Sequence, residues 1–103
     1  MSFHLSTFTE ILQELGARLR EQRLAQSLTQ RELAQMAGLS LGALRKLESD
    51  GQCSLETLVR VVQALGLLEA LDDLFMLKRQ SIAQMEQADL VSRRQRAPRK
   101  KTT

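Results

Sequence analysis

The sequence predicts an all-α protein: a compact domain of five helices over residues 7–77, with a helical extension at its amino end and a basic tail over residues 78–103. Two observations predict it. Apolar residues recur at three- and four-residue spacing between Ser, Thr and Gly punctuation, which is the period of amphipathic helices. The 103-residue chain is 43% hydrophobic yet has three Phe and no Trp or Tyr, so its core must be Leu, Val, Ile, Met and Ala, as in small helical proteins. A chain of this length buries one modest core.

Thr7 and Glu10 form a capping box, in which each side chain satisfies a backbone N–H left over at the helix start. Behind it Phe8, Ile11, Leu12, Leu15, Leu19 and Leu24 trace one stripe, which predicts a first helix over residues 7–26. Gly16 costs about 1 kcal/mol relative to Ala in a helix interior, and it marks either a break or a close approach by another helix. Arg18, Arg20 and Arg23 line the polar side, where a solvated face is the plain reading. The preceding MSFHLS has no period and is expected to fray, and His4 reads there as an exposed side chain, not a ligand or general base.

The rest is organised around Thr29–Gly51, TQRELAQMAGLSLGALRKLESDG. Thr29 and Glu32 form a second capping box, and Leu33, Ala34 and Ala37 share one face. Gly38 adopts the positive φ of a sharp turn without a Cβ penalty. Ser40 caps the next helix, in which Leu44 and Leu47 point to the core while Leu41, Gly42, Arg45 and Lys46 point outward. Two short helices joined by such a turn are a helix-turn-helix, here over residues 29–49.

After the connection QCS, Ser54 caps a helix that carries Leu55, Leu58, Val62 and Leu65 and stops at Gly66. Cys53 is expected at the core edge as a small apolar group. In LLEALDDLFML, Leu67, Leu68, Leu71, Leu74, Phe75 and Leu77 predict a fifth helix that is apolar on more than one side. One domain face cannot bury all of that, and such a surplus is the physical signature of an interface. Beyond Lys78 the pattern weakens to a short helix around Ile82, Met85 and Val91, and RRQRAPRKKTT is expected to be disordered in isolation.

Net charge is +3, but six of the fifteen cations (Arg93, Arg94, Arg96, Arg99, Lys100 and Lys101) lie in the tail with no acid among them. Residues 1–92 therefore hold nine cations against twelve acids, so an anion-binding face on the folded part must be a local patch supplemented by the tail. Catalysis is disfavoured: there is one His, one Cys and no Gly-rich phosphate loop, and adjacent Asp72 and Asp73 point apart on a helix. A single Cys leaves neither an internal disulfide nor a multi-Cys zinc site, and no metal or cofactor is implied. With no apolar run of about 18 residues and no leader-like pattern, the expectation is a cytoplasmic protein with no membrane partner.

TQRELA, Gly38, Ser40, Leu47, Glu48 and Gly51, followed by SLETLVRVVQALG, resemble the XRE or lambda-repressor-like helix-turn-helix family over roughly residues 15–75. The resemblance implies a compact five-helix lambda-repressor-like domain that binds palindromic operator DNA as a homodimer, with residues 7–15 as an extension ahead of the usual start. It implies that Arg23 pairs with Glu48 close to the DNA backbone, and that Gln30 contacts phosphate while bracing the recognition helix. It also implies that the last helix makes the dimer contact, here through Leu68, Leu71, Leu74 and Phe75. The DNA-facing set is then Gln30, Arg31, Ser40, Leu41, Gly42, Arg45 and Lys46, with the six tail cations adding contacts.

The second helix of such a motif fits the major groove, where Arg45 and Lys46 are the strongest polar readers because either can donate to guanine O6 and N7. Leu41, Gly42 and Ala43 stand where many members present polar groups; Leu41 can touch thymine methyls but reads no donor pattern. Specificity is therefore expected to rest on Arg45, Lys46 and operator shape, across half-sites about one helical turn apart. QCSLETL, ALGLLEALDDLF and RRQRAPRK further resemble HipB-type antitoxins, which implies autorepression and a HipA-like kinase toxin as partner. Three other readings share the chain: a stand-alone repressor, a protein-interaction module of the same fold with weak DNA binding, and a general nucleic-acid coating protein led by the tail.

Overall fold

The computed structural model describes residues 3–77, 86–87 and 89–93. Its elements are α1 (Phe8–Ala25), α2 (Gln30–Ala37), α3 (Leu41–Asp50), α4 (Leu55–Ala64) and a 3-10 turn at Leu68–Leu71, a compact all-α arrangement of the lambda-repressor-like kind with no strand among the described residues. The chain divides into two compact units, Met1–Asp72 and Asp73–Thr103. Within the first, α1 packs along α3, and α2 packs on both α3 and α4.

Local chemistry starts each α-helix. Thr7, Thr29, Ser40 and Ser54 accept from the backbone N–H three residues on at 3.0–3.2 Å, each satisfying a donor the first turn cannot. At both Thr caps the glutamate closes the box, accepting from the Thr N–H at 3.0 Å for Glu10 and 2.9 Å for Glu32. These backbone bonds, helped by the Thr hydroxyls, favour the ionised carboxylates and hold both below the ordinary value of 4.5. Helix exits repeat one device. Ser27, Gly38 and Gly66 take φ of 58°, 70° and 74°, and the next N–H reaches back to the carbonyls of Arg23, Ala34 and Val62. Ser27 adopts this conformation without being glycine, so nothing in its residue type marks the turn.

The core is Leu33, Ala34, Ala37, Leu44, Leu47, Val61 and Leu65, with Leu19, Leu28, Leu39, Ala64 and Leu67 packed around it. Gly16 sets the distance between α1 and α3: a Cβ there would overlap the Leu47 carbonyl oxygen and lie 3.1 Å from that of Glu48. Gly51, just past α3, lies equally close to the backbone of Leu12, so the two backbones meet through paired glycines. Gln26 ties the far end, donating to the Leu65 carbonyl at 2.7 Å.

Several expectations are corrected. Of the six residues expected to fray, Met1 and Ser2 lie outside the described residues, while Ser6 N–H bonds to the Phe3 carbonyl at 3.1 Å and the Arg18 guanidinium sits 4.8 Å over the Phe3 ring. Arg18 remains exposed, as the polar side of α1 should be, while stacking on Phe3 and pairing with Glu14 at 2.9 Å. The α1 stripe is only partly used, since Ile11, Leu12 and Leu19 are half-buried while Phe8, Leu15 and Leu24 are exposed. In α4 and its cap Val62 and Leu65 are buried and Leu58 half-buried as their spacing predicts, Val61 is fully buried beside them, and Leu55 alone of the predicted set is exposed, at 76%.

The predicted fifth helix is present but short and of 3-10 type, Leu68–Leu71, where a run to Leu77 was expected. No side chain caps it, Ala70 and Asp72 donate to carbonyls three residues back, and Phe75 takes φ 62°, which ends any helical continuation. Asp72 and Asp73 also place acid where the helix dipole favours cations. Among the described residues no helix is long and apolar enough to cross a membrane.

Gly16→Ala is expected to lose about 1–3 kcal/mol despite the better helix propensity of Ala, because the added methyl meets backbone. Gly42→Ala, whose Cβ meets open space, is expected to be neutral or slightly stabilising. Urea unfolding compares the two. For the capping boxes, folded pKa values below the unfolded one mean that their charge-dependent stability is present above about pH 4.5 and lost as pH falls through the lower folded values. The Tm gap between wild type and the Glu10→Gln/Glu32→Gln variant should therefore exist at pH 7 and close in acid, as read by circular dichroism.

Candidate nucleic-acid interface

α3 turns Leu44 and Leu47 inward, and Glu48, the next residue, is carried to the core edge at 5% exposure. Arg23, in the last turn of α1 and 6% exposed, meets it with a fork: Nε donates to Oε2 at 2.7 Å and the NH2 nitrogen to Oε1 at 3.0 Å. The third guanidinium nitrogen donates to the Leu28 carbonyl at 2.7 Å, in the α1–α2 link. Gln30, the first residue of α2, donates to Glu48 Oε1 at 3.0 Å, and its own Oε1 accepts from Arg45 Nε at 3.4 Å, the weak end of the range. Among the described residues no buried side-chain polar atom lacks a hydrogen-bond partner. One carboxylate thus ties α1, α2 and α3 together, with its desolvation offset by three charge-assisted bonds.

Around this network lie the DNA-facing candidates. Arg31, Ser40, Gly42, Arg45 and Lys46 are exposed and Gln30 is half-buried. Leu41, at the start of α3, is half-buried and so presents part of its surface. Ser40 Oγ is committed to the Ala43 N–H at 3.1 Å, which leaves its O–H free to donate. Gln30 and Arg45 are brought together with residues the sequence reading did not assign to the DNA face: Gln13, Arg20 and Ser49 join them and Glu48 around a shallow cleft of about 350 Å³. Gln13, Ala17 and Arg20 are spaced four and three apart on α1, so the helical period that places hydrophobic stripes was also the signal for this polar one.

The other candidates are less connected. Leu68 is exposed and Leu71 half-buried in the first unit, while Leu74 and Phe75 are exposed in the second, Phe75 at 93%. Arg93 pairs with Asp89 at 2.9 Å; Arg94, Arg96, Arg99, Lys100 and Lys101 lie outside the described residues. Cys53 is exposed but lines an apolar cleft with Leu12, Leu19, Leu58 and the core residue Leu47, and partial burial pushes its thiol above 9.0 against an opposing bond from the Leu58 backbone. Such a thiol is a poor nucleophile at neutral pH. No group of three His, Cys, Asp or Glu among the described residues could hold a metal.

The helix-turn-helix family model matches residues 19–70, half of the chain and all of α2, α3 and α4. The chain belongs to the XRE-type helix-turn-helix family. No curated protein matches it. XRE-type proteins are DNA-binding transcription regulators, generally without enzymatic activity, and α2 and α3 are the helix-turn-helix of this one. The matched span begins inside α1, so Phe8–Arg18 precede the XRE-type segment while packing on it through Gly16.

Glu48→Ala or Arg23→Ala alone should cost about 3–5 kcal/mol in urea unfolding, since each strands its partner's charge in the interior. An Arg23→Met/Glu48→Leu double change is expected to recover most of that loss.

Proposed function

We propose that this chain is a sequence-specific repressor that binds palindromic operator DNA as a homodimer and controls its own operon. The observation that supports this best is the outer face of α3, where exposed Arg45 and Lys46 stand on a helix held by the buried Arg23–Glu48–Gln30 network. Such a helix enters the major groove as a rigid body, so little ordering cost is added on binding. Lys46 and Arg45 donate to guanine edges, Gln30, Arg31 and Ser40 contact phosphate, and Leu41 and Gly42 lie close to the bases.

Apolar Leu68, Leu71, Leu74 and Phe75 are the proposed dimer contact, which places two α3 helices on successive half-sites. The basic residues from Arg93 onward add sequence-independent phosphate attraction. The narrower reading, an antitoxin of a HipA-like kinase toxin acting in the cytoplasm, is supported by QCSLETL, ALGLLEALDDLF and RRQRAPRK. A stand-alone repressor accounts for the same face without that partner.

Fluorescence anisotropy with DNA from upstream of the gene and a scrambled duplex, at near-physiological salt, tests the reading. A preference of about 10³-fold or more, with two chains per duplex and a loss of preference in Lys46→Ala, is the expected result. Equal, salt-sensitive affinity for both duplexes would leave the tail as the main binder, and no binding would favour a protein-interaction module.

A further inference from the structure

We propose that Arg20, flanked by Gln13 and Ser49, is a clamp for a DNA phosphate, by which α1 extends the footprint beyond the helix-turn-helix. The proposal rests on the reading of the chain as a DNA-binding regulator. Its first support is the cleft itself. Gln13, Ala17 and Arg20 form one wall along α1, Arg45 and Ser49 form the other along α3, and Gln30 closes the end. No aromatic or large apolar side chain lines it, so it suits a charged oxygen group and not a stacked base.

The charges point the same way. Among the described residues Arg18, Arg23, Arg60 and Arg93 each have a carboxylate partner, whereas Arg20, Arg31, Arg45 and Lys46 have none. Two of those four unpaired cations face this one cleft, in a folded part whose acids outnumber its bases. Glu48 also lines the cleft, but both its oxygens are held by Arg23 and Gln30, so its charge is neutralised within the protein and does not repel an incoming phosphate.

Geometry makes DNA the occupant. Gln30 and Arg45 belong both to the cleft and to the proposed DNA face, so a duplex lying on α3 carries a backbone strand along the cleft mouth. Arg20 contributes a fork of donors to it, and the neutral donors of Gln13 and Ser49 complete the cradle. Ala17, between Gln13 and Arg20 in the α1 wall, is too short to fill the space in front of it.

The test compares full-length wild type with Arg20→Ala, Arg20→Lys and Arg18→Ala, titrated against operator and scrambled duplexes over a series of salt concentrations. Arg20→Ala is expected to weaken both duplexes alike, by roughly tenfold, and to reduce the slope of log affinity against log salt by about one for each bound subunit. Arg20→Lys should restore the slope, and Arg18→Ala, whose cation is already paired, should bind as wild type. Wild-type affinity and slope in Arg20→Ala would overturn the clamp alone, as would a loss confined to the operator, which would make Arg20 a base reader. Failure of the wild type to bind any duplex would overturn the reading beneath it. Unchanged circular-dichroism melts confirm that each exposed substitution leaves the fold intact.

Discussion

The structure depends on one buried carboxylate. Glu48 accepts two bonds from Arg23 and one from Gln30, and each donor arrives from a different helix. A carboxylate this deep is tolerable only when both its oxygens are hydrogen-bonded, which constrains how α1, α2 and α3 meet. The same bonds orient what lies outside. Gln30, once committed to Glu48 through its amide nitrogen, turns its oxygen toward Arg45, so the interior pair reaches the surface of the recognition helix through one side chain.

That fork forms because α1 and α3 are closer than ordinary side chains allow. Gly16 and Gly51 place backbone against backbone, and Arg23, seven residues after Gly16, lies on the same buried face of α1. Two turns of helix thus convert a close approach at one point into an ion pair at another. The face of α1 that carries Gln13, Ala17 and Arg20 is displayed by the same docking, beside the outer surface of α3.

The charge pattern divides along this geometry. Cations away from the motif are matched by carboxylates one helical turn away, as in Arg18 with Glu14 and Arg60 with Glu56, and contribute little beyond local stability. The cations of α1, α2 and α3 that lack a carboxylate partner are Arg20, Arg31, Arg45 and Lys46, and two of them, Arg20 and Arg45, share one cleft in a part of the chain where acids outnumber bases. α3 opens with half-buried Leu41, and its exposed cations, Arg45 and Lys46, stand one turn further on.

Helix starts, the Gly38 turn and the inward faces of α2 and α3 were all legible in the sequence, because each rests on bonds or spacings within three or four residues. The resemblance named Arg23 with Glu48, and it is the tertiary structure that buries them. What local spacing could not show was which side of a long amphipathic stripe finds a neighbour. Leu55, Phe8 and Leu15 satisfy the helical period as well as Val61 does, yet only Val61 is fully buried, since burial depends on elements distant in the chain. The apolar residues after Gly66 read as a helix and do form one, but it is a 3-10 helix of four residues, because periodicity carries no information about a missing cap or a positive φ. Likewise Ser27 closes α1 in a glycine-like conformation, and Arg20, a solvated arginine by sequence, shares a cleft with Arg45. By itself the sequence determined the helices and the motif, through interactions one turn long. Tertiary structure alone decided which stripes are buried and which polar side chains meet, because those energies come from partners that only the folded chain brings together.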